Sequence, residues 1–287
     1  MDRNLVILAG GASSRMKKSV DADSTTPDDL AKEVRTKPKA MLTVGSRPFL
    51  DFLLLNIEKA GYENVVIVVG EKDNSIYENY QRNNGARGFR QLRFSFVPQI
   101  IPAGLERPLG TADALLQALN ATPSWTGKHF TACNSDNLYS ETVLRLLLED
   151  NHANAMIDYD RSTLLFPEER IAQFAIIRKD KDGFLEDIIE KPSPDELKHA
   201  CDSHGRLGVS MNIWRLSYDM ILSHLKAAPL HHERHEKELP VAVQMLVRQS
   251  PKSVFTIPRS EHVIDLTSRA DISIVRKYLK EHFPPFN

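Results

Sequence analysis

Near the N-terminus, "LVILAGGASSRMKKSV" runs from an apolar stretch straight into two glycines, two serines and the cations Arg15, Lys17 and Lys18. These residue types suit an anion. Gly10 and Gly11 let backbone N–H groups approach a phosphate closely, and Arg15 and Lys17 supply fixed positive charge. The spacing is neither the G-x-x-x-x-G-K-S/T phosphate loop nor the G-x-G-x-x-G dinucleotide fingerprint, so the stretch alone reads equally as a glycine-rich turn with solvated basic residues. A second cluster, "HHERHEKEL", sets His231 and His235 four apart with His232 between them, the spacing at which a helix offers a metal two imidazoles. It lacks the H-E-x-x-H order, and the charge around it favours a solvated loop or helix start. Cys133 and Cys201 have no second Cys or His at ligand spacing and read as reduced thiols, Cys133 in the core.

Such residues need elements to hold them. A chain of 287 residues with 41% hydrophobic side chains can bury a large core. The formal charge of −1, from 37 basic and 38 acidic residues, gives no global field for nucleic acid or an anionic membrane, so any anion must be bound locally. No apolar run reaches the ~20 residues that span a bilayer, and the N-terminal run is too short for a signal peptide, which places the protein in the cytoplasm. Short β-rich runs alternate with helical patterns through the first half, the mark of parallel strands joined by helical crossovers. "NLVILA", "NVVIVVG", "LRFSFVPQ" and "KHFTACNSDN" read as strands. "PFLDFLLLNIEKAGY" reads as a helix stopped by Gly61, "ADALLQALNA" as one capped by Thr111, and "SETVLRLLLEDN" as another. Past Asn151 the pattern turns to strands, "NAMIDY", "AQFAIIRK", "GFLEDIIEKP" and "RLGVSMNIWRL", then to helices and a last strand, "SVFTIP". The polar stretch 17–36 reads as a mobile insertion with one helical turn at Asp28 to Val34. One α/β domain over 1–287 with a mixed sheet is the economical reading.

"LAGGASSRM" followed by "KPKAMLTVGSRPFLDF" resembles the sugar-1-phosphate nucleotidyltransferases, also called NDP-sugar pyrophosphorylases. The resemblance implies a Rossmann-like nucleotide-diphospho-sugar transferase fold with a mixed, mainly parallel central sheet flanked by helices. It also implies a loop of Leu8, Ala9, Gly10 and Gly11 around a nucleoside triphosphate, with Arg15 and Lys39 as the catalytic cations. "FVPQIIPAGLERPLGTADALLQAL" looks like the base-binding segment, Gln99 reading the base edge and Gly110 and Thr111 starting the helix behind it. A glutamine amide complements uracil, thymine or, flipped, cytosine, which makes UTP, dTTP or CTP the expected nucleotide. "CNSDNLYS" resembles the strand end whose aspartate, here Asp136, binds Mg²⁺, and "HVIDLTSRADI" the segment of a second ligand, Asp265. "IIEKP" assigns Glu190 to a sugar hydroxyl and Lys191 to the sugar phosphate. "RLGVSMNIWRL" resembles the strand closing the sugar pocket, with Gly208 where bulk would intrude and Asn212 nearby.

The chain departs from the family's pattern in places. Ser135 replaces a glycine, Thr43 stands where proline is common, and Asp265-Leu266-Thr267-Ser268 replaces Asp-x-Gly-Thr. No hexapeptide repeats follow, so a fused acyltransferase β-helix is not expected. The expected partners are a nucleoside triphosphate and a sugar 1-phosphate, with no nucleic acid, no membrane, and a homo-oligomer left open. Two alternatives stand beside this reading: a cytidylyltransferase for a non-sugar phosphate, since "GGASSRM" suits that loop too, and a non-catalytic nucleotide-sugar-binding regulator.

Overall fold

Asn4 and the four consecutive apolar residues after it form β1 (Asn4–Leu8), and all five are buried, as expected of a strand covered on both faces. The computed structural model describes residues 1–11, 14–21, 28–44, 46–81, 88–202 and 205–283. After β1 come α1 (Ser14–Asp21) and α2 (Asp28–Thr36), then the small hairpin of β2 (Thr43–Val44) and β3 (Arg47–Pro48). Helix α3 (Phe49–Ala60) ends at Gly61, whose φ of 99° is the left-handed stop foreseen for it. There follow β4 (Asn64–Gly70), α4 (Ser75–Gln81), β5 (Arg93–Gln99), α5 (Thr111–Ala121), β6 (His129–Asn134), β7 (Asn137–Leu138) and α6 (Glu141–Glu149). The second half holds β8 (Asn154–Asp160), α7 (Glu168–Ile171), β9 (Ile176–Lys179), β10 (Leu185–Ile189), α8 (Pro194–Ala200), β11 (Gly208–Val209) and β12 (Ile213–Ser217). Helices α9 (Tyr218–Ala227) and α10 (Leu239–Gln249), strands β13 (Val254–Arg259) and β14 (Ile264–Asp265), and α11 (Arg269–His282) complete it.

The main sheet runs β10-β9-β11-β8-β12-β6-β1-β4-β5, with β13 beside β8. Its two longest registers, β4 on β5 and β13 on β8, are parallel, as are β1 on β4 and β1 on β6. The antiparallel β12 joins the N-terminal parallel strands to the second half through β6 and β8. One core layer gathers α3, α6 and α11 residues such as Phe52, Leu147 and Leu279 under one face, and another gathers α5, α9 and α10 residues such as Leu115, Ile221 and Val243 under the other. Parallel strands buried on both faces by helices are what the near-continuous apolar runs of β1 and β4 require.

Three local expectations change. The polar stretch after the glycine loop carries two helices rather than one turn: Met16, Val20 and Val34 are buried, and a residue pattern with an apolar stripe folds down where it finds a partner. Residues 22–27, within that stretch, lie outside the described set. Thr111 does not cap α5; Gly110 is the capping position, and the Thr111 hydroxyl instead accepts from Leu239 N–H at 2.9 Å. "RLGVSMNIWRL" is two strands, β11 and β12, because Asn212 sits at φ 55°, a left-handed conformation that breaks pleating and that asparagine tolerates well. Thr43 has a task proline could not perform, since its N–H donates to Glu33 Oε1 at 3.0 Å and fastens α2 to β2.

Candidate active site

The glycine loop leaves β1 at the carboxyl ends of the parallel strands, the edge where open α/β sheets bind ligands. It is pinned on both sides: Ala9 N–H donates to Val68 O at 2.9 Å, and Leu8 O accepts from Ser135 N–H at 3.2 Å. Leu8 and Ala9 are buried, Gly11 is open, and a Cβ on Gly10 would lie 2.7 Å from Gln99 Oε1. Arg15 falls in the first turn of α1; its side chain lies outside the described residues.

Pro38 starts a single 3₁₀ turn, Lys39–Met41, whose Ala40 and Met41 are buried. That anchor sends Lys39 Nζ to within 2.9 Å of Asp136 Oδ2 across 97 positions of sequence. Asp136 occupies the turn between β6 and β7. Strand β14 pairs with β7, Asp265 opposite Asn137, and Leu266 N–H donates to Asp136 O at 2.8 Å. A two-residue ladder thus sets the two aspartates side by side. The Asp265 carboxyl is pushed above the usual range, by burial first and by the Asp136 charge second. Arg170 Nη2 at 2.6 Å and the Thr267 hydroxyl at 2.7 Å work against that rise. Thr267, at the position where the resemblance leads one to expect glycine, orients the Asp265 carboxylate through its hydroxyl.

The donor set fits a hard divalent cation. Among the described residues no group of three or more His, Cys, Asp and Glu could hold a metal, so two carboxylates at a strand edge would be completed by water and substrate oxygens, the arrangement Mg²⁺ favours.

Gln99, only 3% exposed, spends its amide N–H groups inside the protein, on Gly110 O at 2.9 Å and Asp113 Oδ2 at 3.1 Å. Its acceptor oxygen lies beside Gly10. Gly110 has φ 95° and ψ −169°, a region essentially confined to glycine, and a Cβ there would stand 2.7 Å from Lys237 O. Gly110→Ala should therefore cost about 1–3 kcal/mol in unfolding free energy. Urea unfolding of the variant checks it, and an unchanged midpoint would contradict the geometry.

The segment that presses on Gly110 is the histidine-rich one. His231 Nδ1 accepts from the backbone of Glu233 and Arg234, His235 lies at φ 53°, and no helix forms there. The His231 imidazole serves a turn. Arg234 from this turn pairs with Glu190 at 3.0 Å and with Glu238 at 2.7 Å, so Glu190 is tied to the segment that closes over α5. Burial and the Glu190 charge raise the Glu238 pKa. Lys191 is exposed, at φ 46°, with no ion-pair partner among the described residues. Tyr139 holds the Asn212 kink near β7, donating to Met211 O at 2.7 Å. Gly208 is buried, and bulk there would meet Asp158 and Ile177.

The structure thus brings together Gly10, Gln99 and Gly110 as one group, and Lys39, Asp136 and Asp265 as another, with Glu190 attached through Arg234. Arg170 was not foreseeable, since its partner Asp265 is 95 positions away and no local pattern announces the pair. Arg234 gave half a signal, its i+4 spacing to Glu238.

A family model described as "Nucleotidyl transferase" matches residues 28–261. The chain belongs to that family. It is 28% identical over 188 residues to glucose-1-phosphate adenylyltransferase 1 of Vibrio cholerae serotype O1, covering 66% of this chain and 43% of the relative. It is 25% identical over 248 residues to a glucose-1-phosphate adenylyltransferase of Cereibacter sphaeroides, covering 83% and 54% respectively. The chain thus spans about half the length of the curated relatives it matches. Among solved structures, UTP-bound UGPase from Acinetobacter baumannii superposes with a TM-score of 0.70 at 18% identity, over 99% of this chain and 95% of that one. A UDP-glucose pyrophosphorylase complexed with UDP-glucose gives 0.69 at 18% identity, over 98% and 100%. The nucleotidyl transferase fold read from the motifs is the fold found, and the relatives are sugar-1-phosphate nucleotidyltransferases, as the resemblance implied.

Proposed function

We propose that the protein joins a nucleoside triphosphate to a sugar 1-phosphate and releases pyrophosphate. An oxygen of the sugar phosphate attacks the α-phosphorus in line, the new P–O bond forms as the bond to the bridging oxygen of pyrophosphate breaks, and no covalent enzyme intermediate is needed. The observation that carries the reading is Lys39 against Asp136, with Asp265 on the adjoining strand, at the same sheet edge as the glycine loop.

The chain's task is to hold two polyanions in contact. Backbone N–H groups of the loop at Gly10 and Gly11 would hold phosphate oxygens, with Arg15 and Lys39 offsetting charge as it builds on the α-phosphate and the leaving group. Lys191, exposed beyond β10, is free to meet the sugar phosphate, and Glu190, steadied by Arg234, to accept from a sugar hydroxyl. Asp136 and Asp265 would hold Mg²⁺, which when bound supplies charge neutralisation and a template for the two phosphates. Gln99 Oε1 accepts from a base N–H, which suits the expected UTP, dTTP or CTP but also an adenine amino group. Among the described residues no helix is long and apolar enough to cross a membrane, and we place the reaction in the cytoplasm, where both cysteines stay reduced.

The test is a matrix of UTP, dTTP, CTP and ATP against hexose and aminohexose 1-phosphates, with pyrophosphate release measured in the presence and absence of Mg²⁺. One strongly preferred, magnesium-dependent pair is expected. Release with choline phosphate in place of the sugar phosphate would move the protein to the other class of acceptor. Nucleotide-sugar binding without turnover would make it a regulator.

A further inference from the structure

Asp136 and Asp265 stand side by side, and like charges on a partly buried edge must be offset. Within the chain each carboxylate has its own cation, Lys39 on Asp136 at 2.9 Å and Arg170 on Asp265 at 2.6 Å. We infer that Arg170 is a displaceable counter-charge, competing with the divalent cation for Asp265 and thereby setting the cation affinity of the site. The inference rests on the proposed reading of Asp136 and Asp265 as a metal pair.

Arg170 is forked between two acids. Its Nη2 meets Asp265, and its Nη1 meets Asp271 in the first turn of α11. One arm can let go while the other remains held, so release of Asp265 does not strand a buried guanidinium. Room for the movement is present: a cavity of about 250 Å³ adjoins the guanidinium, lined by Phe166, Ser268, Asp271 and Ile274 among others. The Phe166 ring, its centroid 4.5 Å from the guanidinium carbon, gives the charge a face to slide across. Asp265 keeps its orientation meanwhile, because Oδ1 is bound to the Thr267 hydroxyl and only Oδ2 is contested. A divalent cation brings two charges to a place where the chain has already put one on each carboxylate. Arg170 then falls back on Asp271. Arg170 is on this account a positioning residue.

The experiment measures Mn²⁺ binding to the full chain without substrates, following free ion by electron paramagnetic resonance. Arg170→Gln should bind Mn²⁺ about tenfold more tightly than the unaltered chain, since competition and binding are linked by one coupling free energy. Arg170→Lys, which keeps a charge, should return the affinity toward the starting value and serves also if the Gln variant folds poorly by thermal unfolding. Asp265→Asn separates the two levels. If Asp265→Asn weakens Mn²⁺ binding but Arg170→Gln leaves it unchanged or weaker, the competition is refuted and the metal pair stands. If Asp265→Asn has no effect on binding, the metal reading itself fails and the competition with it.

Discussion

Replacing Lys39 by alanine should lower the rate of pyrophosphate release by about 10²–10³ at saturating substrates, the usual cost of removing one preorganised donor to developing charge. The structure says why so much depends on one side chain. Pro38 fixes entry to the 3₁₀ turn, and the buried Ala40, Met41 and Leu42 lock it, so the ammonium is delivered to one place at no ordering cost during the reaction. Its side chain is 11% exposed, and charge in so covered a position is screened less than at an open surface. Without it, Asp136 and Asp265 face the incoming phosphates with one internal cation fewer. The fold should survive, because the Asp136 side chain is 23% exposed and water can take over its solvation. Circular dichroism and thermal unfolding should match the unaltered chain while turnover collapses. Turnover within a few-fold of the original would remove Lys39 from the chemistry.

What the sequence disclosed followed from how far each signal travels along the chain. Strand β1 and the Gly10–Gly11 turn are contiguous, so residue types alone give both the element and the reason for it. Helix α3 was legible for the same reason, bounded by Pro48 and the left-handed Gly61. Lys39 and Asp136 are 97 positions apart, and only the order of separate motifs suggested that they meet. Gln99 could be marked as a site residue, yet not its use of both amide hydrogens on Gly110 and Asp113, because that depends on how α5 docks. The break at Asn212 was hidden because an alternation of apolar residues continues across it; the kink is a backbone choice upheld by Tyr139, from a different strand end. Arg170 and the histidine turn belong to the same class: their partners, Asp265 and the start of α5, are set by topology and leave no periodic trace.

Gly208→Ala should be the most damaging single-methyl change in the second half of the molecule, costing about 3–5 kcal/mol of stability out of the ~5–15 kcal/mol that holds a typical domain. A Cβ at this position would fall 2.0 Å from Asp158 Oδ1 and 2.8 Å from Ile177 Cγ1, and neither neighbour can yield easily. Asp158 is fully buried, and its other oxygen is clamped by Lys179 at 2.7 Å and Arg206 at 2.5 Å. Oδ1 itself has no hydrogen-bond partner among the described residues, so the bare glycine is what leaves it room between β8 and β9. Pushing the carboxylate aside would loosen both ion pairs and leave buried charge uncompensated, which outweighs the ~1–3 kcal/mol of ordinary overpacking. Gly11→Ala is the matched control: a Cβ there meets nothing within 4 Å among the described residues, so its unfolding midpoint should stay close to the original. Denaturant unfolding of both variants decides the matter. If the two lose equally little, Asp158 is not wedged against Gly208, and the buried cluster that fixes β11 beside β8 and β9 must be arranged differently.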